Sequence, residues 1–364
     1  MYQGGKQAVK ASERNPASND LPPGVTEGQL TEAVLKSGYP LECSVAHMLS
    51  PSFWVQPEWS YVDPDTGQLR SLDLRAGLGL FELEVDQPRV RPRLDLLLEC
   101  KQSTLPYIFF LTQPQPYMPY FPLFAGLSNN DTIAITTDDD PSTWNLPIAQ
   151  CLALDDEPFV AKPPACCMTF AKCERKGKNL ELSGSEPFNS LVLPLTKGMA
   201  WFRTTQAPPR TAVYFDCHLL VGIGVVDGPM MAVTPGEPQD VEATPWVRVL
   251  RHEAVTDADA IGFWERERVF ALDVVHRDFL EEYIRSSVLP FARVFAERAL
   301  KHQEELAEGR GFAAGMGKDS WGNIEARLTP SGPQATVLRT KAAAASIARS
   351  LSKTLSPKPR RRSR

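Results

Sequence analysis

The stretch "LDLLLECKQS" (residues 94–103) decides how the rest of the chain is interpreted. Five of the seven residues from Leu94 to Cys100 are apolar, which predicts a buried strand, and the strand ends on the cation Lys101. Side chains alternate across a strand, so one face is predicted to carry Asp95, Leu97, Glu99 and Lys101, and the other Leu96, Leu98 and Cys100. The strand therefore presents a carboxylate and an ammonium side by side.

A second carboxylate is predicted from the segment "WSYVDPDTGQLRSLDLRA" (residues 59–76). Two strand patterns flank an Asp-Pro-Asp-x-Gly sequence, which is typical of a β-hairpin turn. In the second strand, Leu72 and Leu74 are expected to point one way and Asp73 the other. Asp73 and Glu99 would then each stand on a strand face that is not part of the core.

A third carboxylate comes from the helix predicted over "YPLECSVAHML" (residues 39–49). At about 100° per residue, one apolar stripe forms, made of Leu41, Val45, Met48 and Leu49. Glu42 falls at the border of this stripe. We expect its carboxylate to lean over the sheet rather than into solvent.

Carboxylates held close together repel one another, and each then binds a proton more tightly. A divalent cation relieves that repulsion, and oxygen ligands favour a hard ion such as Mg²⁺, or Mn²⁺. Such an ion can activate water and neutralise charge on a phosphate under attack. A neighbouring lysine can position or deprotonate the water and stabilise the pentavalent phosphorane. The set fits metal-dependent hydrolysis of a phosphodiester.

The ordered set of helical glutamate (Glu42), hairpin aspartate (Asp73) and "ECK" strand (Glu99–Lys101) resembles the PD-(D/E)xK, or restriction-endonuclease-like, nucleases. The resemblance covers about residues 27–112. It implies an α/β fold with a mixed sheet flanked by helices, here in an elaborated version. It also implies that Asp73 and Glu99 bind the metal, that Lys101 serves the attacking water, and that Glu42 completes the acidic site.

Two features depart from the family pattern. Leu72 stands where a proline precedes the aspartate, and 26 positions separate Asp73 from Glu99. The second departure requires an additional strand, which we predict at residues 80–85, to extend the hairpin. Gln102, directly after the lysine, is a candidate contact to DNA or to the metal-bound phosphate.

Composition sets the class of protein. The chain of 364 residues is 43% hydrophobic and 23% charged, as expected of a globular protein that can bury a full core. It has no run of 18 or more apolar residues and no apolar segment near its start, so neither a membrane span nor a secretory signal is predicted. Seven cysteines without a framework spacing indicate reduced thiols and a cytoplasmic location.

Charge and composition divide the chain into three parts: a disordered leader over residues 1–24, a domain over 25–310 and a flexible basic tail over 311–364. Ten cations and no acid follow Glu325, so with a net charge of −5 the preceding residues carry about −15. An acidic body repels a polyanion. The tail is therefore expected to assist the capture of DNA, the predicted partner. The oligomeric state is not readable from the sequence.

Two other elements are predicted in the second half of the domain. The segment "TAVYFDCHLLVGIGVVDGPMMAVT" (residues 211–234) reads as two apolar strands joined as a hairpin at Asp227 and Gly228. An amphipathic helix is predicted over residues 277–308, with a kink at Pro290.

Other interpretations of the same residues remain open. Glu99 and Lys101 can form a solvated ion pair on an edge strand, Asp73 can pair with Arg75 at the surface, and Glu42 can be an ordinary exposed helical residue. For the whole chain, the alternatives to a nuclease are a catalytically idle protein of this fold that binds nucleic acid or a protein partner, and an interaction protein with an accidental E-x-K match. Convergence of Asp73, Glu99 and Lys101 in space is the observation that separates the last from the others.

Overall fold

The fold is given by a computed structural model. It describes residues 16–332, apart from the single residues 17, 119, 164, 210 and 235 and the segments 83–87, 113–117, 139–141, 237–239, 253–268 and 316–321. The predicted leader (1–24) lies mostly outside the described residues, as does the tail from residue 333 onward. The expectations that these segments are disordered stay predictions.

The helices in chain order are α1 (Glu27–Lys36), α2 (Tyr39–Leu49), α3 (Ile148–Cys151), α4 (Pro158–Ala161), α5 (Ser185–Pro187), α6 (Leu193–Thr205), α7 (Leu280–Tyr283), α8 (Leu289–Lys301), α9 (Gln303–Glu308) and α10 (Ile324–Arg327). Short 3₁₀ turns span Leu154–Asp156 and Arg277–Phe279, and π-helical turns span Phe188–Val192 and Ile284–Val288. The helix predicted over residues 39–49 is thus confirmed residue for residue.

The strands are β1 (Trp54–Val62), β2 (Leu69–Gly79), β3 (Val90–Gln102), β4 (Tyr107–Leu111), β5 (Leu123–Ala125), β6 (Thr132–Thr137), β7 (Thr143–Pro147), β8 (Cys166–Lys176), β9 (Asn179–Ser183), β10 (Phe215–Asp227), β11 (Met230–Val233), β12 (Val241–Ala243), β13 (Trp246–His252), β14 (Val269–His276), β15 (Arg310–Ala313) and β16 (Leu328–Pro330). The predicted hairpin corresponds to β1 and β2, and the quoted opening stretch lies in β3.

Twelve of the described strands form one mixed sheet in the order β1-β2-β3-β10-β14-β13-β8-β4-β11-β12, with β5 on β10 and β9 on β8. Strand β2 is antiparallel to β1 and β3, whereas β10 is parallel to β3 and β14 is parallel to β10. Helices pack on both faces, as expected for parallel strands that must be buried on two sides. The expected α/β class, a mixed sheet flanked by helices, is confirmed.

Alternation along β3 separates two hydrophobic cores. Leu96 and Leu98 belong to the core under α2 and α8, and Leu97 belongs to the core under α6. The predicted stripe of α2 is the buried one, since Leu41, Val45 and Leu49 face the first core. Glu99 and Lys101 therefore share the α6 side of the sheet with Leu97.

A second, smaller sheet has the order β16-β15-β6-β7. Ala313, Ile324 and Leu328, which come late in the chain, are buried in the main core. The domain therefore extends beyond the expected boundary at residue 310, because apolar residues recur after the Gly-rich segment and find partners on β6 and α3.

Three predicted elements differ from the structure. Strands β10 and β11 do not pair with each other: β10 joins β3 and β14, and β11 joins β4 and β12. Residues 80–82 are not a strand and 83–87 lie outside the described residues; β2 itself runs on to Gly79 and pairs with β3. The predicted helix 277–308 is interrupted by a π turn that ends just before Pro290, whose missing N–H removes a helical hydrogen bond.

All seven cysteines are free thiols. No helix in the described part of the chain has the length and apolar character needed to cross a membrane.

Candidate active site

Strand register brings the two predicted strand acids together. Leu74 lies opposite Leu98, and Arg75 lies opposite Leu97, so one step further Asp73 faces Glu99. The backbone N–H of Cys100, the residue after Glu99, donates a hydrogen bond of 2.6 Å to Asp73 Oδ2. Asp73 and Glu99 thus meet where β2 and β3 separate.

Strand β2 is irregular at Asp73. Leu72 and Leu74 are both fully buried, but Leu74 belongs to the core under α2 and Leu72 to the core under α6. The expectation that these two leucines point the same way is therefore wrong. The Asp73 carboxylate takes the Cys100 amide that a regular ladder would give to a backbone carbonyl, and the strand turns over at that point.

Glu58 on β1 is part of the same irregularity, and the sequence analysis missed it. Pro57 pairs with Leu74 and Trp59 with Leu72, which leaves Glu58 opposite Asp73. Glu58 has φ of 50°, a left-handed conformation that is uncommon for a residue other than glycine. Counting back from the Asp-Pro-Asp turn along the hairpin would have placed Glu58 in this row, whereas its backbone conformation leaves no trace in the sequence.

The Glu99–Lys101 pair is buried and only half satisfied. Lys101 Nζ lies 2.6 Å from Glu99 Oε1, and the side chains are 24% and 9% exposed. Glu99 Oε2 is buried and has no hydrogen-bond partner in the structure as described. A buried carboxylate oxygen without a partner is costly. The pair is therefore not the solvated surface ion pair of the alternative interpretation.

Burial raises the pKa of Glu99 to about 7; the Lys101 charge opposes this and the Asp73 charge adds to it. Burial lowers the pKa of Lys101, but the neighbouring Glu99 carboxylate outweighs this, so that the pKa is raised overall. The pKa of Asp73 is raised by burial, against the hydrogen bond from the Cys100 amide. At neutral pH Lys101 is thus a cation in a site where two acids hold protons more tightly than usual.

Glu42 belongs to the same electrostatic cluster. It stands in the first turn of α2, and Gly38 leaves room for it, since a Cβ there would lie 3.3 Å from Glu42 Oε1. Burial raises the pKa of Glu42 first, followed by the charges of Asp73 and Glu58. The helical acid is therefore electrostatically coupled to the strand acids Asp73 and Glu58.

The hairpin that carries Asp73 is fastened to α6. Asp63, in the turn between β1 and β2, accepts hydrogen bonds of 2.9 and 2.7 Å from Lys197 Nζ. Arg70 Nε adds a contact of 3.0 Å. The bond from Lys197 lowers the pKa of Asp63 to about 2. The Lys197–Asp63 pair therefore anchors the turn of the hairpin to α6, and Asp73 lies farther along β2, at the irregular part of the strand.

Gln102 ends β3 and is exposed at the rim of a cleft of about 690 Å³ beside the acidic cluster. The cleft is also lined by three cations: Lys36, Lys172 and Arg175. Gln102 does not join the acids. Its position fits a contact to a ligand in the cleft.

The side chains around Glu99 do not form a ready-made metal site. In the described ranges, no group of three or more His, Cys, Asp or Glu residues is arranged to hold a metal ion. The chemistry of the donors nevertheless fits a hard divalent cation: Glu99 Oε2 is an orphaned buried oxygen, and Glu42 and Asp73 are acids whose pKa values are raised by burial. Lys101 holds the other oxygen of Glu99, so metal binding would require side-chain rearrangement.

Comparison with known proteins gives no relative. No family profile, no curated protein and no solved structure matches this chain. The site is therefore interpreted from its own residues.

Proposed function

We propose that this protein is a metal-dependent nuclease of the restriction-endonuclease-like type, which hydrolyses phosphodiester bonds of DNA. The observation that carries the proposal is the Glu99 carboxylate. It is buried opposite Asp73, with one oxygen on the Lys101 ammonium and the other without a partner. The fully buried carboxylate of Asp273, by contrast, has both oxygens hydrogen-bonded to Arg248.

The surrounding architecture supports the proposal. The helix α2 and the three-stranded meander β1–β3 are consecutive, and after an insertion of six strands and three helices in the described residues the chain adds α6 and the strand β10, which is parallel to β3. The result is a mixed sheet flanked by helices, and the electrostatic coupling of Glu42 and Glu99 to Asp73 supports a shared site. The Asp73–Glu99–Lys101 set is intact.

The residues that would hold Mg²⁺ or Mn²⁺ are Asp73, Glu99 and Glu42, with Glu58 close by. A bound divalent ion would supply charge neutralisation at the phosphate and a lowered pKa of water. Burial is the main cause of the raised pKa values of Glu42, Asp73 and Glu99, and the Asp73 charge adds to it at Glu42 and at Glu99.

Lys101 supplies a fixed positive charge. Its pKa is raised, so the ammonium persists at neutral pH and can donate hydrogen bonds to a phosphate oxygen and to the attacking water. It orients and stabilises rather than removing a proton from that water. Burial against Glu99 holds the side chain in position before substrate arrives.

The cleft beside the site can accept a phosphate backbone. Three cations, Lys36, Lys172 and Arg175, line it with Gln102, and they outnumber its two acids, Glu174 and Asp227. Phosphate contacts by lysine and arginine position a nucleic acid without reading its sequence. The basic segment from residue 333 onward would add further contacts of this kind.

Cleavage of supercoiled plasmid and labelled oligonucleotides tests the proposal. We expect cleavage in Mg²⁺ or Mn²⁺, none in EDTA, and a loss of at least about a hundredfold in Asp73→Asn, Glu99→Gln and Lys101→Met. The matched control is Lys176→Met, because Lys176 forms an exposed pair with Glu181 at 3.1 Å on the β8–β9 hairpin. Wild-type rates in the site variants, or equal losses in the control, would refute the assignment.

The same assay decides the alternative of a catalytically idle protein of this fold. The contact between Lys101 and Glu99 Oε1, where a metal would bind, is the observation that favours it. Binding of DNA by the wild type without cleavage in any divalent metal would establish that alternative.

A further inference from the structure

A second cluster of charged and aromatic side chains lies at the other end of the same sheet face. Positions 91, 93, 95, 97 and 99 of β3 share one side by strand alternation, so Arg91 and Arg93 face the same way as Glu99. Helix α6 covers the middle of this side and ends at Thr205. Beyond it, the uncovered sheet carries five side chains, which we name the arginine–aromatic face: Trp54, Phe81, Arg91, Arg93 and Tyr214.

The aromatic side chains of this face are available to a ligand. Trp54 is 57% exposed and Tyr214 is 48% exposed. Strand pairing puts Trp54 opposite Gly77, and Gly79 opposite Arg93. Two positions of β2 on this face thus lack a side chain, and the Arg93 guanidinium and the Trp54 ring lie over Gly77, within 3.6 and 3.8 Å of where a Cβ would stand.

Arg75, on the same side of the sheet, is an arginine whose guanidinium is hydrogen-bonded to a buried acid. Arg75 donates to Asp95 Oδ1 from Nε at 3.0 Å and from Nη2 at 2.8 Å, and its guanidinium lies 5.6 Å from the Trp54 ring centre. His218 holds the other oxygen of Asp95 at 2.6 Å. The Arg75–Asp95 pair is largely buried, and the Arg75 guanidinium packs against the Trp54 ring. The ring is therefore held in place before any ligand binds.

Arg91 and Arg93 are not engaged in this way. Arg91 has no ion pair among the described residues, and its guanidinium lies 5.6 Å from the Tyr214 ring and 6.0 Å from the Phe81 ring. Arg93 reaches Asp216 only at 3.7 Å. The Nε atoms of both arginines are buried without a hydrogen-bond partner. The Arg91 guanidinium beside the exposed Tyr214 ring therefore has no ion pair among the described residues, and Arg93 has only a long one.

We propose that the arginine–aromatic face binds unpaired bases of a single-stranded nucleic acid, with Trp54 and Tyr214 stacking on bases and Arg91 and Arg93 contacting phosphates. Bases stack on aromatic side chains only where they are not already enclosed in a duplex, and arginine pairs with phosphate. The occupant matches the face in chemistry: bases against the exposed Trp54 and Tyr214 rings, and phosphates against two arginines, of which Arg91 has no ion pair among the described residues and Arg93 has only the 3.7 Å contact to Asp216.

The location connects this face to the proposed nuclease, on which this inference about the substrate rests. Arg93 and Glu99 are six residues apart on one strand, so about 20 Å separates them at 3.3 Å per residue. Helix α6 covers the strand between them, so a bound nucleic acid would pass around the helix along a path longer than this. The substrate would therefore have its single-stranded segment several nucleotides or more from the cleaved bond.

Binding in EDTA tests this without requiring cleavage. Fluorescence anisotropy would compare a labelled 20-nucleotide single strand, its duplex and the RNA of the same sequence. We expect Trp54→Ala and Arg91→Gln each to weaken binding of the single strand roughly tenfold and to change duplex binding less than twofold. Comparable losses on DNA and RNA would show that the face reads bases and phosphates, and a loss confined to one would identify the sugar that it accepts.

The chain offers matched controls for both variants. Trp144 is an exposed tryptophan (41%) on β7 of the small sheet, and Arg285 is an exposed arginine on the π turn before α8. Trp144→Ala and Arg285→Gln should bind the single strand like the wild type. Unchanged binding in Trp54→Ala, an equal loss in Trp144→Ala, or no binding of single strands by the wild type would overturn the inference.

The outcome separates this inference from the proposed activity. Metal-dependent cleavage with single-strand binding that does not depend on Trp54 would refute the role of the arginine–aromatic face and support the nuclease activity. Trp54-dependent binding of single strands without cleavage would support the role of the face and refute the nuclease activity.

Discussion

Two clusters of charged side chains are buried in the same sheet, and they are satisfied to different degrees. In the first, Arg248 donates to both oxygens of Asp273 at 2.8 and 2.9 Å and to the Phe159 carbonyl at 2.6 Å, and Tyr283 donates to Asp273 at 2.6 Å. In the second, Glu99 has one oxygen on Lys101 and the other without a partner. Both lie on central strands of one domain.

The difference separates a structural cluster from a functional one. Around Arg248 the protein supplies every partner, including aromatic rings at 4.4 and 4.6 Å from the guanidinium, contributed by Phe121 and Phe159. Around Glu99, by contrast, the protein places further acids, and the Asp73 charge raises the pKa of both Glu99 and Glu42. A fold tolerates such a group where the missing partner comes from outside, as a ligand or an ion. The predictions below follow from that contrast.

The largest expected effect is on the satisfied cluster. Arg248→Met leaves Asp273 buried without its cationic partner, which should lower the free energy of unfolding by about 3–5 kcal/mol. Urea unfolding followed by circular dichroism measures this. The control is Arg285→Met, which removes only an exposed contact to Glu282 and should leave the free energy of unfolding nearly unchanged. A cost for Arg248→Met no larger than the control's would show that the cluster is not structural.

The opposite sign is expected at the unsatisfied cluster. Glu99 has a pKa of about 7 in the folded protein against 4.5 for an ordinary glutamate. Its stabilising contribution is therefore complete below pH 4.5 and is lost as pH rises through 7. Glu99→Gln stays neutral, so above pH 7 and without metal it should be more stable than the wild type by up to about 3 kcal/mol. Urea unfolding from pH 4 to pH 8 checks this; a variant less stable at pH 8 than the wild type contradicts it.

Asp73 and Lys101 should shift the pH at which Glu99 titrates in opposite directions. Asp73 raises the pKa of Glu99 and Lys101 lowers it. Asp73→Asn is therefore expected to shift the titration of Glu99 to lower pH, and Lys101→Met to higher pH. Carbon-13 NMR of labelled glutamate follows the titration directly. Shifts in the same direction in both variants would show that Asp73 and Glu99 are not electrostatically coupled.

The smallest effect is expected for ion pairs that are neither buried nor shared. Lys176 and Glu181 face each other at 3.1 Å, with side chains 76% and 55% exposed. Lys176→Ala should change the free energy of unfolding by about 0.5 kcal/mol or less, since solvent screens the pair. Thermal melting in low and high salt measures it. A loss above 1 kcal/mol would mean that burial is not what distinguishes the two clusters from ordinary surface pairs.

Local patterns predicted the parts of the molecule that depend on local chemistry. Alternation predicted the faces of β3, and the turn sequence predicted the hairpin that brings Asp73 to Glu99. The irregularity of β2 that turns Leu72 and Leu74 to opposite faces could not be predicted. It accompanies a hydrogen bond from the backbone N–H of Cys100 to the Asp73 side chain, and these two residues are 27 positions apart. The pairing of β10 with β3 rather than β11 is likewise set by contacts distant in sequence, where apolar runs of equal quality compete.

The central claim is that the cluster around Glu99 lacks a cation that it is built to receive. The most direct measurement is the free energy of unfolding at pH 7.5, in EDTA and in Mg²⁺ or Mn²⁺, for the wild type and Glu99→Gln, with sodium chloride of equal ionic strength as reference. The divalent ion should stabilise the wild type by about 2.7 kcal/mol at a concentration of about 100 times its Kd, and Glu99→Gln by much less. No gain beyond the sodium chloride reference, or an equal gain in both proteins, would contradict the claim.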